Sequence, residues 1–147
     1  MYKSFRSLKS ADNVFLPTHS YRMMKNLHKV IPNAHYVMSD FDLLRDSPSS
    51  LEGFNAPTVS TKLEESEAKK DYDSYLVDRG AADIFFPTDF RLLRLMYQTA
   101  TGKNSLHMKG FDFVDKYSDA KWTTTQSGYN PLREDFSNTS FFVTKQN

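Results

Sequence analysis

The sequence predicts an α/β fold, and three observations carry that prediction. Apolar residues recur at helical spacing over Thr18–Val30, a short run rich in β-formers follows at once, and a second such run closes the chain at Thr139–Thr144. A helix, a tight turn and a strand in that order make one α/β unit. The 147 residues suit one compact domain, expected over residues 13–147 behind a short basic segment over 1–12. Twelve Phe and eight Tyr supply large apolar surfaces for its core.

The first helix is expected to start at a Thr18 N-cap behind Pro17, with Tyr21, Met24, Leu27 or His28, and Ile31 on its buried face. Pro32-Asn33 stops it, and His35–Ser39 reads as the strand. A polar loop around Asp46–Ser50 leads to Asn55-Ala56-Pro57 and a possible strand over Thr58–Leu63. Glu64–Asp73 is a dense charge run, read as a solvated loop or surface turn. Tyr75-Leu76-Val77 is a short apolar run broken at Arg79-Gly80, and Asp83–Phe86 reads as a strand or extended lead-in. Thr88 is a second N-cap candidate, with Phe90, Leu93, Met96 or Tyr97, and Ala100 facing inward and Gly102 ending that helix. A third helix is expected from Gly110 to about Ala120, with Phe113, Val114 and Tyr117 inward. Gly128–Pro131 is turn-rich, and the last strand centres on Phe141-Phe142-Val143. For Trp122, core packing is expected ahead of partner binding.

Composition excludes several functions. Nineteen basic against 18 acidic residues leave a net charge of +1, so neither nucleic acid nor an anionic membrane is an expected partner. The chain has no cysteine, which removes disulfides, thiolate metal sites and a cysteine nucleophile. No apolar run approaches the roughly 20 residues of a membrane-spanning helix. The opening residues interleave Lys3, Arg6 and Lys9 with Ser4, Ser7 and Ser10 and with Tyr2, Phe5 and Leu8. That pattern reads either as a mitochondrial targeting segment or as an ordinary solvated start.

The five glycines stand isolated, at 53, 80, 102, 110 and 128. A nucleotide-type ligand in an open α/β sheet rests on a Gly-rich bend between strand and helix, and no such bend occurs here. The cofactor-binding set in this chain is therefore empty, and His19, His28, His35 and His107 lack metal-ligand spacing, so no metal is expected. The most suggestive polar group is Ser39-Asp40-Phe41-Asp42, directly after the first strand. Ligands collect beyond the carboxyl ends of such strands, so Asp40 and Asp42 could face a cleft. As turn-forming residues facing water they need no function at all. Asp89 has a capping explanation, whereas Asp83 has none as clear. No catalytic residue is identifiable.

The strings N-V-F-L-P-T (Asn13–Thr18), S-D-F-D (Ser39–Asp42), N-A-P (Asn55–Pro57), D-I-F-F-P-T-D-F (Asp83–Phe90), N-P-L-R-E-D-F (Asn130–Phe136) and T-S-F-F-V (Thr139–Val143) occur in that order. Together they resemble the eukaryotic branch of the MidA family, which includes the mitochondrial protein arginine methyltransferase that assists complex I assembly. The resemblance runs from about Asn13 to Thr144 and covers the C-terminal half of the family's usual length. Asp83, Asp89 and Phe90 stand at matching places, while Pro87 and Thr88 depart from the more widespread form. The resemblance implies the C-terminal portion of a class I methyltransferase sheet, mainly parallel with a terminal antiparallel strand. His35–Ser39 would be its fifth strand and Thr18–Val30 the helix before it. It implies S-adenosylmethionine as methyl donor, with the donor-binding glycines and ribose-binding acid upstream of Met1. It implies a protein substrate, a complex I subunit, in the mitochondrion, and a missing N-terminal half or partner chain. Asp40, Asp42, Asn55, Asp83 and Asp89 are then the substrate-cleft candidates. The alternative is a non-catalytic interaction module or split subunit.

Overall fold

The computed structural model describes residues 13–43, 51, 53–62 and 69–145. The basic opening segment, most of the loop around Asp46–Ser50 and the first part of the charge run lie outside the described residues. The chain divides into two compact units, one formed by Met1–Leu16 with Leu44–Pro87 and the other by Pro17–Leu43 with Thr88–Asn147.

In the first unit, β2 (Thr58–Lys62) lies between β3 (Lys69–Asp71) and β4 (Asp83–Phe85), antiparallel to both. Pro57, Thr58 and Val59 are fully buried. Phe15 sets its ring edge-on to Tyr75 at 5.7 Å and tilts against Phe86 at 6.0 Å. The charge run is not all loop. Lys69, Lys70 and Asp71 form an exposed edge strand, because β2 offers them a register that local charge does not forbid. Tyr75-Leu76-Val77 forms no strand.

The second unit carries α1 (Thr18–Val30), β1 (Val37–Phe41), α2 (Phe90–Thr101), β5 (Ser105–Lys109), α3 (Gly110–Tyr117), two single turns α4 (Ala120–Thr123) and α5 (Pro131–Glu134), and β6 (Thr139–Thr144). The bounds of α1 agree with its period, but Thr18 is not the cap. Pro17 is, and its carbonyl oxygen accepts the Tyr21 N–H at 3.1 Å, so the turn begins one residue earlier. The α2 cap likewise moves from Thr88 to Asp89, whose carboxylate accepts the N–H groups of Arg91 and Leu92. Gly102 closes α2 in the left-handed region at φ 71°, as expected. The third helix stops at Tyr117, where Ser118 turns extended. Asp119 then accepts the Lys121 N–H and opens α4.

The strand order is β1-β6-β5, with β6 antiparallel to both neighbours. The expected mainly parallel pairing is not seen: the ladders of both sheets are antiparallel among the described residues. The reason is local, since the reversed C-terminal strand inserts between β1 and β5. Those two therefore run parallel to each other without touching. β1 also sits two residues later than His35–Ser39, because the register places Val37 opposite Val143 and Phe41 opposite Thr139.

Strand alternation divides the sheet. Phe142, fully buried, joins Met24, Phe90 and Tyr97 in a core that Tyr36, Met38, Leu93, Met96 and Ala100 surround. Tyr97 meets Phe142 edge-on at 5.3 Å. Burial raises the Tyr97 phenol above its ordinary pKa. On the opposite face Phe141 stacks on Phe113 of α3, 3.9 Å between centroids. Trp122, expected in the core, is 87% exposed on α4. A four-residue turn opening on the Asp119 carboxylate holds its indole outside the unit.

Candidate functional site

The polar groups of the second unit converge where β1 ends, β5 ends and β6 begins. Tyr36 accepts the Thr144 N–H and Asp42 donates its N–H to Asn138, so even-numbered residues of β1 face β6. Odd-numbered Val37, Ser39 and Phe41 turn their backbone groups outward. Phe41 is satisfied: its N–H donates to the Asp40 carboxylate at 2.8 Å and its carbonyl oxygen accepts the Thr88 N–H at 2.8 Å. Among the described residues nothing pairs with the outer edge at Val37 and Ser39.

Asp40 is exposed and accepts the Thr88 hydroxyl at 2.6 Å. Asp42 is more enclosed, its side chain 17% exposed, and pairs with Lys109 Nζ at 2.5 Å. It also accepts a short bond from the Ser140 hydroxyl. Lys109 reaches the Ser137 carbonyl oxygen as well. The three strands are thus clamped at one end by a carboxylate, an ammonium and a hydroxyl. Each carboxylate accepts two bonds, Asp40 through both oxygens and Asp42 through Oδ2 alone, and Asp40 is the more open to solvent. Asp89 caps α2, one residue beyond the Asp40 partner Thr88.

The remaining two candidates belong to the first unit. Asn55 holds a turn at φ 57° and donates its amide N–H to the Phe15 carbonyl oxygen at 3.2 Å. Asp83 is exposed at the start of β4, opposite Ser60. Sequence reasoning missed Lys109, Ser140 and Thr88, because each meets its carboxylate from 48 to 98 residues away. No local pattern encodes such a meeting.

On the sheet face that carries Phe141 lies an aromatic slot of about 520 Å³. Phe41, Phe113, Tyr117, Leu132, Phe136 and Phe141 wall it, with Ser39 and Asp40 at the β1 side. That volume falls within the usual range of ligand and side-chain pockets.

Among the described residues no Gly-rich bend between strand and helix offers the usual cradle for a nucleoside-bearing methyl donor. Among the described residues the one strand-to-helix bend with a glycine is β5 to α3. A Cβ at Gly110 there would lie 3.4 Å from the carbonyl oxygens of Phe136 and Thr139. Those are ordinary contacts, and Gly110 itself borders the aromatic slot. Among the described residues no three His, Asp or Glu side chains converge as a metal site requires.

A family model described as "Putative S-adenosyl-L-methionine-dependent methyltransferase" matches residues 1–109, three quarters of the chain. The matched stretch holds Asp40, Asp42, Asn55, Asp83, Asp89 and Lys109, and β6 lies beyond it. No curated protein and no solved structure gives a match.

Proposed function

Because the chain belongs to this family of S-adenosyl-L-methionine-dependent methyltransferases, we propose that it forms the C-terminal part of a class I methyltransferase of the MidA type. One observation carries the reading: β6 runs reversed between β1 and β5, which run the same way, and α1 leads into β1 as α2 leads into β5. The open edge at Val37 and Ser39 is where further parallel strands, carrying the donor cradle, would extend the sheet. When bound, S-adenosylmethionine supplies an electrophilic methyl group on its sulfonium. This chain's own contribution is on the acceptor side, where the exposed Asp40 carboxylate suits the planar donors of a guanidinium. The acceptor is an arginine of a complex I subunit and the setting is the mitochondrion; the ordered MidA-like strings support both, and the basic opening segment supports the setting.

Calorimetry of this chain with S-adenosylmethionine should show no tight binding. A micromolar affinity would overturn the assignment of the donor cradle to other residues. Arginine methylation on complex I subunits should fall in cells lacking the gene, as read by mass spectrometry. A second reading, a non-catalytic interaction module, is favoured by the same open edge. It is told apart by its result: complex I assembly would suffer while arginine methylation stayed unchanged.

A further inference from the structure

We propose that the aromatic slot receives Trp122 of a second copy of this chain, with the contact made reciprocally in a two-fold dimer. Trp122 is the most exposed large hydrophobic side chain among the described residues, at 87%. It is also the chain's only tryptophan. It does not enter the slot beside it, because Asp119 fixes the start of α4 and the Trp122 N–H is tied to the Asp119 carbonyl oxygen at 3.0 Å. The slot walls are unfinished: Phe41, Tyr117, Leu132 and Phe136 are each 42–50% exposed.

Hook and slot suit each other in charge and position, and the slot is large enough to take the hook. A cavity of about 520 Å³ is wide enough to admit an indole, with space left beside it. Burying it with those four walls removes roughly 500 Å² of mostly apolar surface per copy. That is more than half of the roughly 800 Å² per partner that a stable interface needs. Lys121 stands beside the hook and Asp40 in the slot wall, so opposite charges flank the contact. Tyr117 and Ser118 line the slot and lie within five residues of Trp122. Hook and slot are therefore neighbours on one unit, and a single two-fold axis satisfies both at once and closes the assembly at two copies.

Light scattering of the purified chain should give twice the 17.0 kDa chain mass. Dilution should then dissociate it, and the emission of the single tryptophan should move to the red as the indole meets water. Trp122→Ser and Phe136→Glu should each weaken self-association at least about 30-fold, whereas Val30→Ser, on an exposed site of α1, should not. An equimolar mixture of the two weakened variants should regain dimer, since each mixed pair keeps one intact hook and slot. Circular dichroism checks that each variant folds, and the wild-type measurements need no variant. A chain that stays monomeric, an emission that ignores concentration, or growth beyond two copies overturns the proposal and gives the slot to another occupant.

Discussion

Thr88 is tied to Asp40 by its hydroxyl at 2.6 Å, while its N–H holds the carbonyl oxygen of Phe41 at 2.8 Å. These two bonds join the approach to α2 to the last residues of β1. Thr88→Val removes the hydroxyl and keeps the N–H, so it should cost about 0.5–1.5 kcal/mol in urea unfolding. Combined with Asp40→Ala the losses should fall short of additive, because the two residues share one bond. Full additivity would show that the bond contributes nothing.

Asp89→Ala tests a neighbouring residue with a different task. Its carboxylate accepts two N–H groups of the first turn of α2. Its loss should cost about 1 kcal/mol and add fully to Thr88→Val. Strong non-additivity would mean that cap and clip act as one device.

The contrast between those two threonine- and aspartate-bearing positions shows what the sequence makes legible. A cap acts within three residues, so a capping site near Phe90 is visible in the string itself, although Thr88 and Asp89 compete for it there. The clip depends on a partner 48 residues away and is invisible. The same logic separates the strands. Thr139–Thr144 declares itself through its β-branched and aromatic residues, whereas Ser105-Leu106-His107-Met108-Lys109 has no β-branched residue and becomes β5 only because β6 pairs with it. Trp122 was misplaced for a related reason. Hydrophobicity argues for burial, but a four-residue turn has too little surface to bury its own indole. Asp40 and Asp42 were legible as a polar group at a strand end, and their unequal enclosure was not.

The Asp42–Lys109 pair should hold the ends of β1 and β5 in place through β6. Lys109→Met leaves a carboxylate, only 17% exposed, with Ser140 as its remaining side-chain partner. The expected loss is about 1–2 kcal/mol, more than an exposed ion pair provides and less than a fully buried one. Lys109→Met with Asp42→Asn should recover part of it. A loss from Lys109→Met that vanishes in high salt would show a purely surface contact.

Phe142 lies at 0% exposure among Met24, Phe90 and Tyr97. Phe142→Ala should cost about 3–5 kcal/mol, by lost transfer energy and the cavity left behind. That rivals the whole stability of a small domain. Thermal denaturation should show either a lost transition or a midpoint lowered by many degrees. A shift of a degree or two would mean that the assigned core is not where the unit is held.

The alkaline limb of stability should carry two tyrosines. Burial raises the Tyr97 phenol, and the hydrogen bond to Asp135 raises that of the exposed Tyr129. A raised folded-state value means the neutral phenol is favoured by the fold. The stabilisation is therefore complete below the ordinary tyrosine value of about 10 and is lost as pH climbs through the raised one. Phenolate absorbance should show a late-titrating fraction that Tyr129→Phe reduces and that disappears on unfolding. Tyr129→Phe should leave stability at neutral pH less dependent on the Asp135 carboxylate, so that Asp135→Asn adds little to it. If all tyrosines titrate together in the folded chain, neither phenol is held neutral by its surroundings. The bond drawn between Tyr129 and Asp135 would then have to be abandoned.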